Sequence, residues 1–138
     1  MKKTFRDIDE SKGFKWELGP DPSALELWHM SILDTPISEL EIGDLCRAVR
    51  QEMYISRLLP MVVSELDKDV LVGYWDDAEL LKLTSELSGS VWGQYAVLAE
   101  KMLDILSRNK EVLAEDLSAV AYATELEHKL LVALGDQR

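Results

Sequence analysis

The sequence has few of the residues from which crosslinks and metal sites are built. Its 138 residues include one cysteine, Cys46, which excludes an intramolecular disulfide framework and a zinc site made of cysteines. A single cysteine is typical of a protein that works in a reducing compartment. The sequence also lacks C-x-x-C pairs, glycine-rich phosphate loops and the G-x-S-x-G nucleophile motif. Known catalytic signatures therefore give no support to an enzyme, and we expect no catalytic residue and no cofactor.

Long apolar runs and an excess of positive charge are lacking as well. Charged residues interrupt every apolar run before it reaches the roughly 20 residues of a membrane-spanning helix. Arg6, Asp7 and Asp9 lie where the apolar part of a signal peptide would be, so we expect a cytoplasmic protein. Fifteen basic residues against 26 acidic ones leave a formal charge of −11. This field repels nucleic acid and anionic membranes, and we expect neither as a direct ligand.

What the chain does contain is typical of one globular domain. It is 47% apolar and 30% charged, and a chain of this length forms a single core. Residues 1–22 combine charges with glycine and proline and show no helical period, which predicts a mobile or loosely packed segment anchored by Phe14, Trp16 and Leu18. Residues 23–138 are predicted to form the helical domain.

Apolar residues recur at helical spacing through that domain, and no segment shows the period of two that is typical of strands. The pattern predicts an all-α fold of about six helices around one core. The predicted apolar stripes lie within residues 25–32, 42–49, 55–66, 80–87, 92–106 and 113–131. Two capping boxes, Ser38 with Glu41 and Asp76 with Glu79, predict the starts of two helices.

A cluster of acids and aromatic residues lies between the third and fourth predicted helices. Its candidate partner-binding residues are Asp67, Asp69, Tyr74, Trp75, Asp76, Asp77 and Glu79. A calcium loop starting at Asp67 would need an oxygen ligand at Leu71 and glycine at Val72, so we expect no metal. Two interpretations stay open. Either the aromatics and acids form a surface that binds a basic partner, or the segment holds a packed tryptophan and ordinary helix caps.

The remaining reactive side chains are predicted to be structural. Cys46 lies on an apolar helical stripe and is predicted to be a small core residue. His29 and His128 each lie on an apolar helical face, which predicts core or half-buried histidines. An enzyme of unfamiliar type would require paired acids buried beside one of these histidines.

Residues 33–45 read L-D-T-P-I-S-E-L-E-I-G-D-L. They resemble the start of a helix in the helical immunity proteins (CdiI family) of bacterial contact-dependent growth inhibition (CDI) systems. The resemblance continues through Val49-Arg50-Gln51, through Leu58-Leu59-Pro60 and through residues 66–81, and it covers roughly residues 14–87. In two places the sequence departs from the family pattern, with Val70 instead of proline and Ala78-Glu79 instead of Gly-Asp.

The resemblance implies an immunity protein that binds the cognate CdiA C-terminal toxin domain in the cytoplasm and neutralises it stoichiometrically, without catalysis. Many such toxin domains are nucleases with basic substrate-binding surfaces, and the acids between Asp67 and Glu79 would then occupy the place of nucleic-acid phosphates. An alternative function is an acidic helical adaptor or regulator that binds a basic cellular partner. The alternative contact surface is the outer face of the last two helices, with Glu115, Asp116, Glu125 and Glu127.

Overall fold

The computed structural model describes residues 3–15 and 17–135. The chain divides into two compact units, residues 1–44 and residues 45–138. Trp16, one of the predicted anchors, lies outside the described residues. No helix in the described ranges is long and apolar enough to cross a membrane.

The first unit contains helices α1 (Phe5–Ser11) and α2 (Ala24–Ile32). Each begins with a capping box in which a hydroxyl and a carboxylate exchange hydrogen bonds with each other's backbone N–H, at 3.1 Å in all four cases. The interpretation that residues 1–22 lack a helix is wrong for α1. That helix has seven residues and buries two of them, Phe5 and Ile8, so it is too short to show a helical period. The mobility of this segment stays a prediction.

A short 3-10 helix, Ile37–Glu39, precedes α3 (Ile42–Arg50). The predicted capping box of Ser38 and Glu41 is therefore wrong, because Ser38 lies inside the 3-10 turn and α3 begins only at Ile42. The apolar stripe predicted for this helix is confirmed: Leu45, Cys46 and Val49 are buried.

The second unit holds most of the helices. They are α4 (Ile55–Lys68), α5 (Glu79–Glu86), a 3-10 helix (Gly89–Trp92), α6 (Ala96–Arg108), α7 (Lys110–Ala114) and α8 (Leu117–Gly135). Helix α8 packs against α5, α6 and α7, and α4 packs against α5 and α6. The all-α class is confirmed for the described residues, which form eight α-helices rather than the predicted six or so.

The last predicted helix is in fact two helices. Asp116 interrupts it: its Oδ1 accepts the N–H groups of Ser118 (2.9 Å) and Ala119 (3.2 Å) and caps α8. The apolar stripe predicted for α8 is also wrong. Leu117, which belonged to it, is 87% exposed, whereas Leu126 on the other side of the helix is fully buried.

Candidate functional site

The residues between α4 and α5 form a closed loop, residues 69–78, which we call the 69–78 loop. Its base is closed by two backbone hydrogen bonds, from Ala78 N to Leu71 O (2.7 Å) and from Leu80 N to Val72 O (3.2 Å). A side chain at Gly73 would clash with the backbone oxygen of Asp76, so the tight fold of the loop requires glycine there.

Glu79 is the first residue of α5, and its side chain lies beneath the 69–78 loop with only 6% of the residue exposed. Oε1 accepts the backbone N–H groups of Tyr74 (2.7 Å) and Trp75 (2.8 Å). Oε2 accepts a hydrogen bond from Arg50 Nη2 at 2.6 Å. The predicted capping box of Asp76 with Glu79 is wrong, because α5 begins after Ala78 in a left-handed conformation with no side-chain cap.

These contacts decide the ionisation of Glu79. Burial alone would raise the pKa of this carboxyl group, but the N–H groups of Trp75 and Tyr74 and the Arg50 guanidinium favour the carboxylate. Their combined effect holds the pKa of Glu79 below its ordinary value. Glu79 therefore carries a negative charge at neutral pH. Arg50 and two backbone N–H groups of the protein itself compensate this charge.

The loop presents two aromatic side chains to solvent. Trp75 is 76% exposed and Tyr74 is 59% exposed. Their rings meet edge to face, with centroids 5.0 Å apart, the arrangement that aromatic quadrupoles favour. The interpretation of this segment as a packed tryptophan is therefore wrong. Large apolar side chains exposed in this way are typical of contact sites rather than of a core.

Beside Trp75 lies a cleft of about 600 Å³, which we call the acidic cleft. Its acidic lining residues are Asp76, Asp77, Glu79, Glu86 and Asp116, and its other lining residues include Tyr122, Arg50 and Lys82. Among the residues that the structure describes, Asp76, Asp77 and Glu86 form no ion pair. Their charges are thus available to a positively charged ligand.

Three of the predicted contact residues do not line the acidic cleft: Tyr74, which lies on the 69–78 loop, and the two acids Asp67 and Asp69. Asp67 forms ion pairs with Arg108 (2.8 Å) and Lys101 (3.9 Å) of α6, and the hydrogen bond from Arg108 lowers the pKa of Asp67. Asp69 accepts the backbone N–H of Leu71 at 3.0 Å and shapes the start of the 69–78 loop. Both carboxylates therefore have intramolecular roles.

The acidic cleft brings together residues from both surfaces that the sequence proposed. Asp116, assigned to the alternative surface, lines the same cleft as Asp76 and Asp77, whereas Glu125 and Glu127 do not line it. Sequence reasoning missed Glu86 and Tyr122. The spacing of Glu79, Lys82 and Glu86 at i, i+3 and i+7 already placed them on one face of α5.

The reactive side chains Cys46, His29 and His128 are not among the residues that line the acidic cleft. Cys46 is buried, and burial with the nearby Glu79 charge raises the pKa of its thiol to about 11; such a thiol is inert. His29 is buried as predicted, but His128 is exposed, so its prediction as a core or half-buried residue is wrong. Across residues 3–15 and 17–135 no cluster of three or more acidic, histidine or cysteine side chains could hold a metal ion.

Comparison with known families adds to this geometry. A sequence model of a family described as CDI immunity proteins matches residues 10–102. The match spans well over half of the chain, includes the whole 69–78 loop with its flanking helices, and ends within α6. No curated protein matches the chain.

Proposed function

Because this chain belongs to the family of CDI immunity proteins, we propose that it binds the C-terminal toxin domain of its cognate CdiA protein and neutralises it in the cytoplasm. In this proposal the protein protects by binding the toxin domain and not by turnover. The resemblance noted at residues 33–81 supports the same function. The further questions are which surface binds the toxin and which kind of toxin that surface fits.

The observation that carries the proposed surface is the exposed Trp75 beside the acidic cleft. A tryptophan that is 76% exposed has a large apolar area to bury against a partner, and tryptophan is enriched among residues that dominate binding energy. Asp76 and Asp77, which form no ion pair among the described residues, line the same cleft as Trp75. An apolar anchor next to unpaired acids fits a partner that offers an apolar pocket bordered by lysine or arginine.

This chemistry supports a nuclease as the toxin. A nuclease binds phosphates with a basic surface, and a protein charged −11 is attracted to that surface over long range. Bound through the acidic cleft, the immunity protein would occupy the basic surface in place of the nucleic acid. The toxin would then be inhibited without any chemical change.

The predicted contact residues take two roles in this proposal. Tyr74, Trp75, Asp76 and Asp77 meet the toxin, since all four are exposed on the 69–78 loop. The other three, Asp67, Asp69 and Glu79, support the loop and its neighbouring helices through the hydrogen bonds and ion pairs described above. Glu86, Asp116 and Tyr122 are added as further contacts.

The test is charge reversal on the loop. Asp76→Lys with Asp77→Lys should slow association with the purified toxin domain encoded next to this gene by about tenfold or more, and cells carrying the variant should lose protection. Far-ultraviolet circular dichroism should stay unchanged, because both side chains are exposed and form no ion pair among the described residues.

A matched control has the same change in net charge away from the loop. Glu17→Lys with Glu100→Lys alters two exposed acids that do not line the acidic cleft and should reduce association much less. Glu125→Lys with Glu127→Lys tests the alternative surface. If only this last variant abolishes binding, the proposed surface is wrong, and if the wild type does not bind the toxin at all, the proposed function is wrong.

A further inference from the structure

We infer that Glu79 is a positioning residue for toxin binding, which holds the 69–78 loop in the conformation that presents Trp75. The inference rests on the proposed function for its binding step. The positioning itself is a property of the free protein. Glu79 does not meet the toxin in this account; it acts through the backbone of the residues that do.

The hydrogen bonds of Glu79 converge on the backbone at the aromatic pair. One carboxylate oxygen accepts two successive N–H groups, those of Tyr74 and Trp75, and the other oxygen accepts Arg50. Successive N–H groups that converge on one anion form a concave anion-binding arrangement of the backbone. Hydrogen bonds to a charged acceptor are stronger than neutral ones, so this carboxylate fixes the direction of the backbone at both residues.

Nothing in the packing of Trp75 itself could replace that restraint. With 76% of the residue exposed, Trp75 has little contact with the core, and its ring contact is with Tyr74, which is on the same loop. The position of the indole is therefore set through the backbone. Holding an exposed aromatic residue in its bound position reduces the conformational entropy that binding would otherwise cost.

Arg50 completes the arrangement from α3. Its guanidinium donates to Glu79 at 2.6 Å, and it lies one helical turn from the buried Cys46, which neighbours the backbone of Tyr74. The carboxylate therefore lies between a cation on α3 and the two loop amides. Loss of the carboxylate would leave the part-buried N–H groups of Tyr74 and Trp75 without their acceptor, which is costly for groups shielded from water. The Arg50 side chain is 44% exposed and can be hydrated instead.

The first measurement is amide hydrogen exchange in the free protein. Glu79→Ala should speed exchange at Tyr74 and Trp75 by about tenfold or more, while core amides of α4 and α6 keep their protection and show that the fold is intact. Glu79→Gln keeps a carbonyl oxygen as acceptor and should restore much of the protection. The control is Asp77→Ala, which removes a loop carboxylate that accepts neither N–H and should leave exchange at both residues unchanged.

The second measurement is a double-mutant cycle with the toxin domain. If Glu79 acts through Trp75, Glu79→Ala should weaken binding about tenfold in the wild type but much less in the Trp75→Ala background. A residue that only stabilises the fold would weaken binding equally in both backgrounds. Equal effects, or unchanged exchange at Tyr74 and Trp75, would overturn the inference. Should the wild type fail to bind the toxin, the proposed function falls, and the exchange rates alone decide whether Glu79 holds the loop.

Discussion

His29 and Glu79 are two buried ionisable side chains whose surroundings act on them in different ways. His29 is 2% exposed, and burial lowers the pKa of its imidazole, an effect that the negative charge of Asp9 opposes in part. Glu79 has enough hydrogen-bond donors to remain charged in spite of its burial. The histidine is thus held neutral and the glutamate is held ionised. Both effects make the folded protein more stable at neutral pH than at acid pH.

We predict that His29 makes stability fall between pH 7.5 and pH 5.5. Its folded pKa is below the ordinary value, so the unfolded chain takes up a proton near pH 6.5 before the folded chain does. The contribution is present above that pH and is lost as the pH falls through it, by at most about 1.4 kcal/mol per pH unit. Urea unfolding at the two pH values measures the loss.

The variant His29→Gln removes the titrating group and should reduce the difference between the two pH values. His128→Gln, in which the replaced side chain is exposed, is the matched control and should leave the difference as in the wild type. If the stability of His29→Gln differs between the two pH values as much as that of the wild type, His29 is not the group that causes the loss.

At the scale of helices, the connection between α7 and α8 shows how one side chain ends a run of helical sequence. The sequence from Lys110 to Leu134 has helical period throughout, yet the structure has two helices with Glu115 and Asp116 between them. Asp116 satisfies two N–H groups at the start of α8, and its negative charge interacts favourably with the positive end of the helix dipole. This capping also places Asp116 at the acidic cleft.

We predict that Asp116→Ala lowers the free energy of unfolding by about 1 kcal/mol, the usual cost of losing an N-cap. Asp116→Asn, which keeps the capping oxygen, should cost less. Glu115→Ala is the neighbouring control, since Glu115 is exposed and ends α7 through its backbone N–H, which alanine keeps. Urea denaturation of the three variants measures the effect, and equal midpoints for Asp116→Ala and the wild type would show that the cap does not stabilise α8.

For the whole molecule, the governing quantity is the charge of −11. Some of the 26 acidic residues are balanced locally, as in the ion pairs of Asp67 with Arg108 and of Glu79 with Arg50. Other acidic residues are concentrated at the acidic cleft, where Asp76 and Asp77 lie beside Trp75. In the proposed complex, long-range attraction would depend on the total charge, whereas the orientation of the toxin would depend on the cleft.

We predict that association with the toxin domain slows by about tenfold or more when the salt concentration rises from about 0.05 M to about 0.5 M, because salt screens exposed charges. Dissociation should change much less. In Asp76→Lys with Asp77→Lys the dependence on salt should be weaker, whereas Trp75→Ala should keep it and dissociate faster. Stopped-flow or surface-binding kinetics measure both rates, and an association rate independent of salt would contradict electrostatic steering.

The sequence by itself determined the class of the fold and the stripes of its inner helices. The predicted apolar positions of α4 and α5, such as Leu59, Val62 and Leu80, are buried, because a helix with one apolar stripe has only one face to bury. The sequence also identified residues 67–79 as a candidate contact segment, because acidic and aromatic residues can be recognised without a structure. The family could be predicted from its local motifs.

Only the tertiary structure decided which side of α8 is buried and which acids remain free. Helix α8 has apolar residues on both sides, Leu117 and Leu131 on one and Leu126 and Leu130 on the other, so periodicity could not choose between them. In the sequence, Glu79 and Asp77 are two carboxylates of the same segment. In the structure, Glu79 accepts hydrogen bonds from three donors, whereas Asp77 forms no ion pair with any residue in the described part of the chain. Burial and ion pairing depend on groups from distant parts of the chain, and these meet only when the helices pack.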